Sequence, residues 1–245
     1  MAAGSIGTKQ LSGSVSYNHS RWENRRRFLR FLIRNIGFNL LIKLGEVEGI
    51  ENVPTHGPGI LMINHIAFLD PIVVLHVLPR NIVPLAKVEA YDYPIVGIFP
   101  KIWGVIPVRR AEVDRRAIQQ ALDVLGAGEL ILMAPEGTRG QQLQEAKEGV
   151  AYLASRGKAP VIPVAIEDTY GFPTFRLSRR WKGPGAHVRF GRPFRFIDTG
   201  KRASREDLRK MTKEAMYIMA SMLPEQRRGV YADLSQATTE TIEWL

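Results

Sequence analysis

Cysteine is absent from this chain of 245 residues. That excludes disulfides, thiolate metal sites and a cysteine nucleophile, and it fits a reducing cytoplasm. No Gly-x-Ser-x-Gly elbow occurs, so a covalent serine route has no support. Histidine is scarce, at five residues. Acidic residues are outnumbered: 34 Lys and Arg stand against 24 Asp and Glu, a formal net charge of +10. An excess of that size predicts anionic partners: nucleic acid, an anionic membrane surface, phosphorylated substrates or an acidic carrier protein. The most basic segment also lacks a long apolar run. Residues 21–45 hold seven Lys and Arg against Glu23 alone, and the longest uncharged stretch there, Asn35 to Ile42, is too short to cross a bilayer.

What that segment does have is periodicity. Phe28, Leu32, Ile36, Leu40 and Leu44 form an i, i+4 ladder, with Arg26, Arg30 and Arg34 on the opposite face. Basic and amphipathic, residues 21–45 read as a helix lying in a membrane interface. The alternative is the same helix packed on the protein's own core with a solvated basic face. A nucleic-acid binder sets aromatics and basic residues together on an exposed face; here the basic residues interleave with an aliphatic stripe, and no nucleic acid is expected. The segment lacks the small-residue cleavage site of a signal peptide. Residues 1–20 are rich in Gly and Ser and are expected to be mobile. Residues 224–245 read as an appended tail, which leaves residues 46–223 as one domain with a substantial core.

Within that domain, strand and helix patterns alternate. A short strand and turn at 45–54 precede strands near 59–64, 82–86, 104–108, 129–133, 160–166 and 186–191. Helices fall near 71–78, 88–99, 113–126, 145–156 and 204–222. The alternation predicts an α/β fold, a largely parallel or mixed sheet covered by helices. Residues 171–185 form a long basic loop with Arg176, Arg179, Arg180 and Lys182. Its aromatics, with Tyr170 beside it, suit either a membrane contact or a lid.

The run Ile60-Leu61-Met62-Ile63-Asn64-His65, followed by Ile66-Ala67-Phe68-Leu69-Asp70-Pro71, carries the chemistry. It sets an imidazole and a carboxylate where an apolar strand gives way to a helix. A histidine near neutral pKa takes a proton from a hydroxyl, and a carboxylate beside it fixes the tautomer. Asp70-Pro71 reads as an N-cap and first helical residue. Alone, a His-x4-Asp pair is a weak signal. Gly104-Val105-Ile106-Pro107-Val108-Arg109-Arg110, Ala134-Pro135-Glu136-Gly137-Thr138-Arg139 and Val161-Ile162-Pro163-Val164-Ala165-Ile166 follow it in order.

These four blocks, across residues 46–196, resemble those of the glycerolipid acyltransferase family, in particular the 1-acylglycerol-3-phosphate acyltransferases. Ala67 stands where that family usually has Ser, and Glu167-Asp168 where many relatives carry a glycine. The resemblance implies an αβ sandwich of the glycerol-3-phosphate acyltransferase type with a catalytic pair, His65 and Asp70. It implies acyl transfer from acyl-CoA or acyl-carrier protein to the sn-2 hydroxyl of lysophosphatidic acid. Other acceptors and a non-enzymatic anionic-lipid binder are the alternatives. Arg110 matches the arginine of the second block, Arg139 that of the third, and Lys87 a lysine after the second strand.

Acyl transfer needs a base, an electrophile in line and donors to the oxyanion. His65 is the expected base, oriented by Asp70. Arg110, Arg139 and Lys87 are expected on the acceptor phosphate, since guanidinium geometry suits phosphate. Arg109 points to the other strand face and ranks lower. Glu136 is placed on a glycerol hydroxyl or beside Arg139, and Gly137 is read as permitting close backbone approach. Oxyanion donors are sought in the turn running from Pro135 to Thr138. No metal or cofactor is expected, and His56, His76 and His187 read as structural or solvent-facing. The expected location is the cytoplasmic face of the cell membrane.

Overall fold

β2 (Gly59–Ile63) is buried along its whole length, and its alternate residues serve two cores. Ile60 and Met62 face one helical layer, Leu61 and Ile63 the other. A strand buried on both sides is an internal strand of a helix-clad sheet. The computed structural model describes residues 17–94, 97–110 and 113–245. Its sheet also contains β1 (Leu44–Glu48), β3 (Ile82–Lys87), β4 (Ile106–Val108), β5 (Leu130–Met133), β6 (Val161–Glu167), β7 (Ala186–Phe190), β8 (Phe194–Phe196) and β9 (Ile242–Trp244). The order is β1-β7-β6-β2-β5-β3-β4. The five strands from β6 to β4 run parallel. β7 is antiparallel to β6, β8 pairs with the start of β6, and β9 pairs with β8.

Helices α5 (Arg115–Gly126), α6 (Gly149–Gly157) and α7 (Arg205–Ser221) cover one face. The other is covered by α3 (Asp70–Val77), α4 (Ile98–Trp103) and the N-terminal segment. The expected strands, and the helices near 71–78, 113–126 and 204–222, are present within a few residues. The expected helix at 88–99 is not one helix. Its residues 95–96 lie outside the described residues; Val88–Tyr91 is a single 3-10 turn, and α4 begins only at Ile98. Pro94 disfavours helix in the residue before it. A side chain at Gly97 would meet the Tyr91 carbonyl oxygen at 2.4 Å, so the chain folds back there. Gly104, at φ 74°, ends α4 and delays the following strand to Ile106.

The N-terminal segment is α1 (Glu23–Leu32), a π turn (Ile33–Gly37) and the short α2 (Phe38–Leu40). Leu44, the last rung of the expected ladder, belongs to β1. Neither expected polarity holds throughout: Leu29, Ile33 and Phe38 pack on the core, while Arg25, Arg27 and Arg34 are exposed. Arg26 is fully buried; its Nε donates to Trp103 O at 2.8 Å, and its guanidinium also meets Tyr17 Oη. Arg30 and Arg34 donate to Leu78 O at 2.7 and 2.8 Å, and Arg34 also to His76 O at 3.2 Å. These are the terminal carbonyls of α4 and α3, where helix dipoles favour cations. Phe28, Phe31, Ile36 and Leu40 face solvent instead.

The expected tail is revised, and of the expected mobile N-terminus only its last residues can be placed. Residues 1–16 of the stretch expected to be mobile lie outside the described residues, while Tyr17 is tied down: its N–H donates to Asp123 at 2.9 Å and its hydroxyl to Gly104 O. The tail is part of the fold. Tyr231 and Ile242 are buried in the core, and buried Glu214 on α7 accepts from Thr238, Glu240 and Thr241. Residues 227–230 bond Leu143 on both sides, Leu143 N to Arg227 O at 2.9 Å and Val230 N to Leu143 O at 3.2 Å. Composition gave no sign of this, because few of the tail's residues are buried.

Tyr231 packs edge-to-face on Tyr217 at 5.3 Å and its hydroxyl accepts from Ala146 N at 3.3 Å. Tyr231→Ala is expected to cost about 3–5 kcal/mol by emptying a core site, roughly 10 °C of Tm at this size. Tyr231→Phe removes only the hydrogen bond and is expected to cost about 1 kcal/mol. Thermal unfolding followed by circular dichroism distinguishes them; equal small losses would show that the tail is only loosely attached.

Candidate active site

Parallel strands deliver their carboxyl ends to one edge of the sheet, where open α/β folds bind ligands. β2 ends at Ile63, and Asn64 ties it to β6: its Nδ2 donates to Ile166 O at 2.9 Å and its Oδ1 accepts from Ile166 N at 2.7 Å. The next residue is His65. Its Nδ1 lies 2.8 Å from Asp70 Oδ2. The carboxylate is fully buried, while the imidazole side chain is 16% exposed. The same Asp70 oxygen accepts from Ile66 N at 2.6 Å and Ala67 N at 2.8 Å, and Oδ1 accepts from Thr169 Oγ1 at 2.5 Å. Three of the donors around Asp70 are two backbone amides and a hydroxyl, and the fourth position faces the imidazole. Asp70 therefore accepts from His65 Nδ1–H, which leaves the Nε2 lone pair for a substrate. Asp70 does not cap its own helix as the sequence suggests. It turns back to close the loop before α3.

His65 opens on a cleft of about 380 Å³. Lys87 from the end of β3, Arg109 and Arg110 beyond β4, Gly137, Thr138 and Arg139 beyond β5, and Lys147 all line it. Among the described lining residues none is acidic. Leu85, Val108, Leu132 and Met133 supply an apolar wall. Arg109 faces the same cleft as Arg110, contrary to the alternation expected of a strand, because β4 stops at Val108. Burial lowers the Arg110 guanidinium below its ordinary pKa; Glu89 opposes this and Arg139 adds to it. Arg139 lies over the Phe68 ring at 6.0 Å and Lys87 over Tyr93 at 5.6 Å.

Glu136 and Gly137, adjacent in the chain, are placed differently with respect to the cleft. Glu136 is buried and does not line the cleft. Its carboxyl accepts from Gln144 N at 2.8 Å and from the His65 backbone N–H, which ties the loop after β5 to the histidine. Gly137 lines the cleft at φ 69°, a conformation glycine favours, and no protein atom lies within 4 Å of where a Cβ would stand. Its N–H is used by Ala134 O at 3.1 Å, which removes it from the oxyanion donors sought in this turn. Thr169 was not singled out by the sequence. The only signal for it is topological: β6 lies beside β2, so the residues just past Glu167 meet Asp70.

These features define an α/β protein with a histidine–carboxylate pair at the ends of parallel strands, over a cationic and partly apolar cleft. Residues 45–167, half of the chain, match the model of the acyltransferase family, and the chain belongs to that family. It is 33% identical over 130 residues to the 1-acyl-sn-glycerol-3-phosphate acyltransferase of Borreliella burgdorferi, covering 51% of this chain and 52% of that protein. It is 29% identical over 169 residues to the enzyme of that name from Bacillus subtilis, covering 69% of this chain and 82% of that one. The crystal structure of the 1-acyl-sn-glycerophosphate acyltransferase PlsC from Thermotoga maritima superposes with a TM-score of 0.55 at 27% identity, covering 78% of each chain. The chain thus spans about half of the first relative's length.

Burial pushes the Glu136 carboxyl from 4.5 up to about 7, against the pull of the Gln144 and His65 amides. The folded state therefore keeps a proton that the unfolded chain releases. The resulting stability is complete below 4.5 and is lost as pH rises to about 7. Glu136→Gln cannot titrate. Wild-type stability minus that of the variant is expected to fall across this window in denaturant titrations; parallel curves would show that Glu136 does not titrate there.

Thr169→Val leaves one oxygen of the buried Asp70 without its donor. The expected loss is about 1–3 kcal/mol, with Thr169→Ser close to wild type. Urea midpoints of the three proteins test this, and a Val variant as stable as the Ser variant would dismiss the contact.

Proposed function

We propose that this protein acylates the sn-2 hydroxyl of lysophosphatidic acid, giving phosphatidic acid. The observation that carries the reading is His65 Nδ1 at 2.8 Å from buried Asp70, at the edge of a cleft lined by Lys87, Arg110 and Arg139. The acceptor hydroxyl gives its proton to His65 Nε2 as its oxygen attacks the acyl thioester carbonyl. Collapse of the tetrahedral intermediate re-forms the carbonyl and breaks the C–S bond. The thiolate leaves and takes the proton back from the imidazolium. Asp70 keeps the imidazole in the right tautomer and stabilises its charged form. Arg110, Arg139 and Lys87 hold the acceptor phosphate, and the apolar wall suits an acyl chain. The donor is acyl-CoA or acyl-carrier protein; both are anionic and both suit a cationic cleft.

The proposed location is the cytoplasmic face of the membrane. Among the described residues no helix is long and apolar enough to cross a bilayer. The outward row of Phe28, Phe31, Ile36 and Leu40 supports interfacial docking through residues 21–45. Arg26, Arg30 and Arg34 are committed to the fold, so the electrostatic share falls to Arg21, Arg25 and Arg27, and salt should weaken docking less than the charge count suggests.

Thiol release from palmitoyl-CoA with lysophosphatidic acid tests the mechanism. His65→Ala is expected to lower turnover by about 10²–10⁴ and to lower Tm by a few degrees, since Asp70 loses one of its donors. Arg139→Ala is expected to raise KM for the acceptor by roughly 10- to 100-fold, as loss of a charged hydrogen bond implies, and to leave a phosphate-free acceptor unaffected. Near wild-type turnover by His65→Ala would rule out the base. Equal losses on both acceptors would move Arg139 to the donor or to the fold.

A further inference from the structure

The 170–183 loop divides its apolar side chains into two sets. Phe172 is buried and meets Trp181 edge-to-face at 6.1 Å, both against the core beneath. The Arg180 guanidinium lies over the Phe172 ring at 4.1 Å, and its Nε donates to Tyr170 O at 2.7 Å while its other nitrogens meet the carbonyls of Asp168 and Pro184. The loop thus has an internal frame. Tyr170, Phe175 and Leu177 nevertheless stand outward, 71%, 75% and 100% exposed. Large apolar groups held in water by an already folded loop mark a contact surface.

Two further observations identify the occupant. Exposed Arg176, Arg179 and Lys182 are interspersed along the same loop, and no acidic residue occurs between 169 and 185. The loop is also fixed to the N-terminal segment: Thr174 N donates to Leu41 O at 2.9 Å, and Lys43 Nζ donates to Trp181 O at 3.2 Å and Gly183 O at 2.8 Å. Its outward face therefore adjoins the end of the segment that exposes Ile36 and Leu40. A lid would cover the cleft, but among the described residues none of this loop lines it.

We propose that the 170–183 loop is a second membrane-contacting element, seating Tyr170, Phe175 and Leu177 among the lipids of an anionic bilayer with Arg176, Arg179 and Lys182 on their phosphates. The proposal rests on the reading of residues 21–45 as an interfacial segment, which it extends into a two-part surface. Because the loop begins directly after Thr169, its contact would set the Asp70–His65 pair at a fixed height above the headgroups.

The absence of cysteine permits a clean test in the full chain. Leu177→Cys, Phe31→Cys and Glu206→Cys are each labelled with an environment-sensitive fluorophore and mixed with phosphatidylcholine–phosphatidylglycerol vesicles containing a lipid-borne quencher. The labels at 177 and 31 are expected to shift to the blue and be quenched, and the one at 206, on α7, is not. Quenching at 31 with none at 177 overturns the proposal and leaves the helix as the contact. Quenching at 177 alone supports the loop and overturns the helix reading; quenching at neither overturns both. In a second arm, Arg176→Gln, Arg179→Gln and Lys182→Gln together are expected to weaken partitioning to these vesicles by ~fivefold per charge, on the order of a hundredfold in all. Partitioning to pure phosphatidylcholine should not change. Undiminished binding to the anionic vesicles overturns the assignment of these cations.

Discussion

A carboxylate taken fully out of water must find donors for its lone pairs or lose its charge. Asp70 finds four: His65 Nδ1, the amides of Ile66 and Ala67, and Thr169 Oγ1. Three come from the loop after β2 and one from the loop after β6. That set exists only if β2 and β6 are neighbours running in the same direction, which is how the sheet pairs them. Asn64 clips the two strand ends together one residue before the histidine. The sheet order and the tautomer of one imidazole are therefore a single constraint.

Helix α3 carries this constraint across the molecule. Its first residue is Asp70, at the end where the helix dipole favours an anion. Its far end is occupied by Arg30 and Arg34, which donate to Leu78 O. Turning Arg26, Arg30 and the exposed Arg34 toward the body of the protein is reasonable only because those terminal carbonyls have no partner within their own helices. The same choice turns Phe28, Phe31, Ile36 and Leu40 outward. An apolar outer face and a fixed active-site helix are two consequences of one set of arginine–carbonyl bonds.

Periodicity showed where the long, doubly buried strands lie, since β2, β5 and β6 read as apolar runs bounded by turns. It also placed His65, Arg110 and Arg139 at strand ends that the parallel order brings to one cleft. It failed where burial is decided by hydrogen-bond partners and not by side-chain polarity. Arg26 looks like a solvated residue and is buried; Glu136 looks like a ligand group and is a buried support. Thr169 has no local signal, because its importance depends on a strand pairing roughly a hundred residues apart. The tail was misjudged for the same reason: Glu214 and Leu143, far away in sequence, order it.

His65 is held from three sides by separate parts of the chain. Its side chain is fixed by Asp70. Its carbonyl accepts from Gly140 N at 2.8 Å, and its N–H reaches Glu136. The 140–147 loop behind those last two bonds is in turn bonded to residues 227–231. An imidazole constrained in this way cannot follow a substrate. It acts only on a hydroxyl delivered to Nε2 within hydrogen-bond reach. On the proposed reading, delivery then falls to the cations of the cleft, which would fix the anionic end of the acceptor. It falls also to whatever sets the height of the cleft over the surface in which a lipid acceptor lies. On that reading, a rigid base and a fixed seat on the membrane would solve the same positional problem from opposite ends.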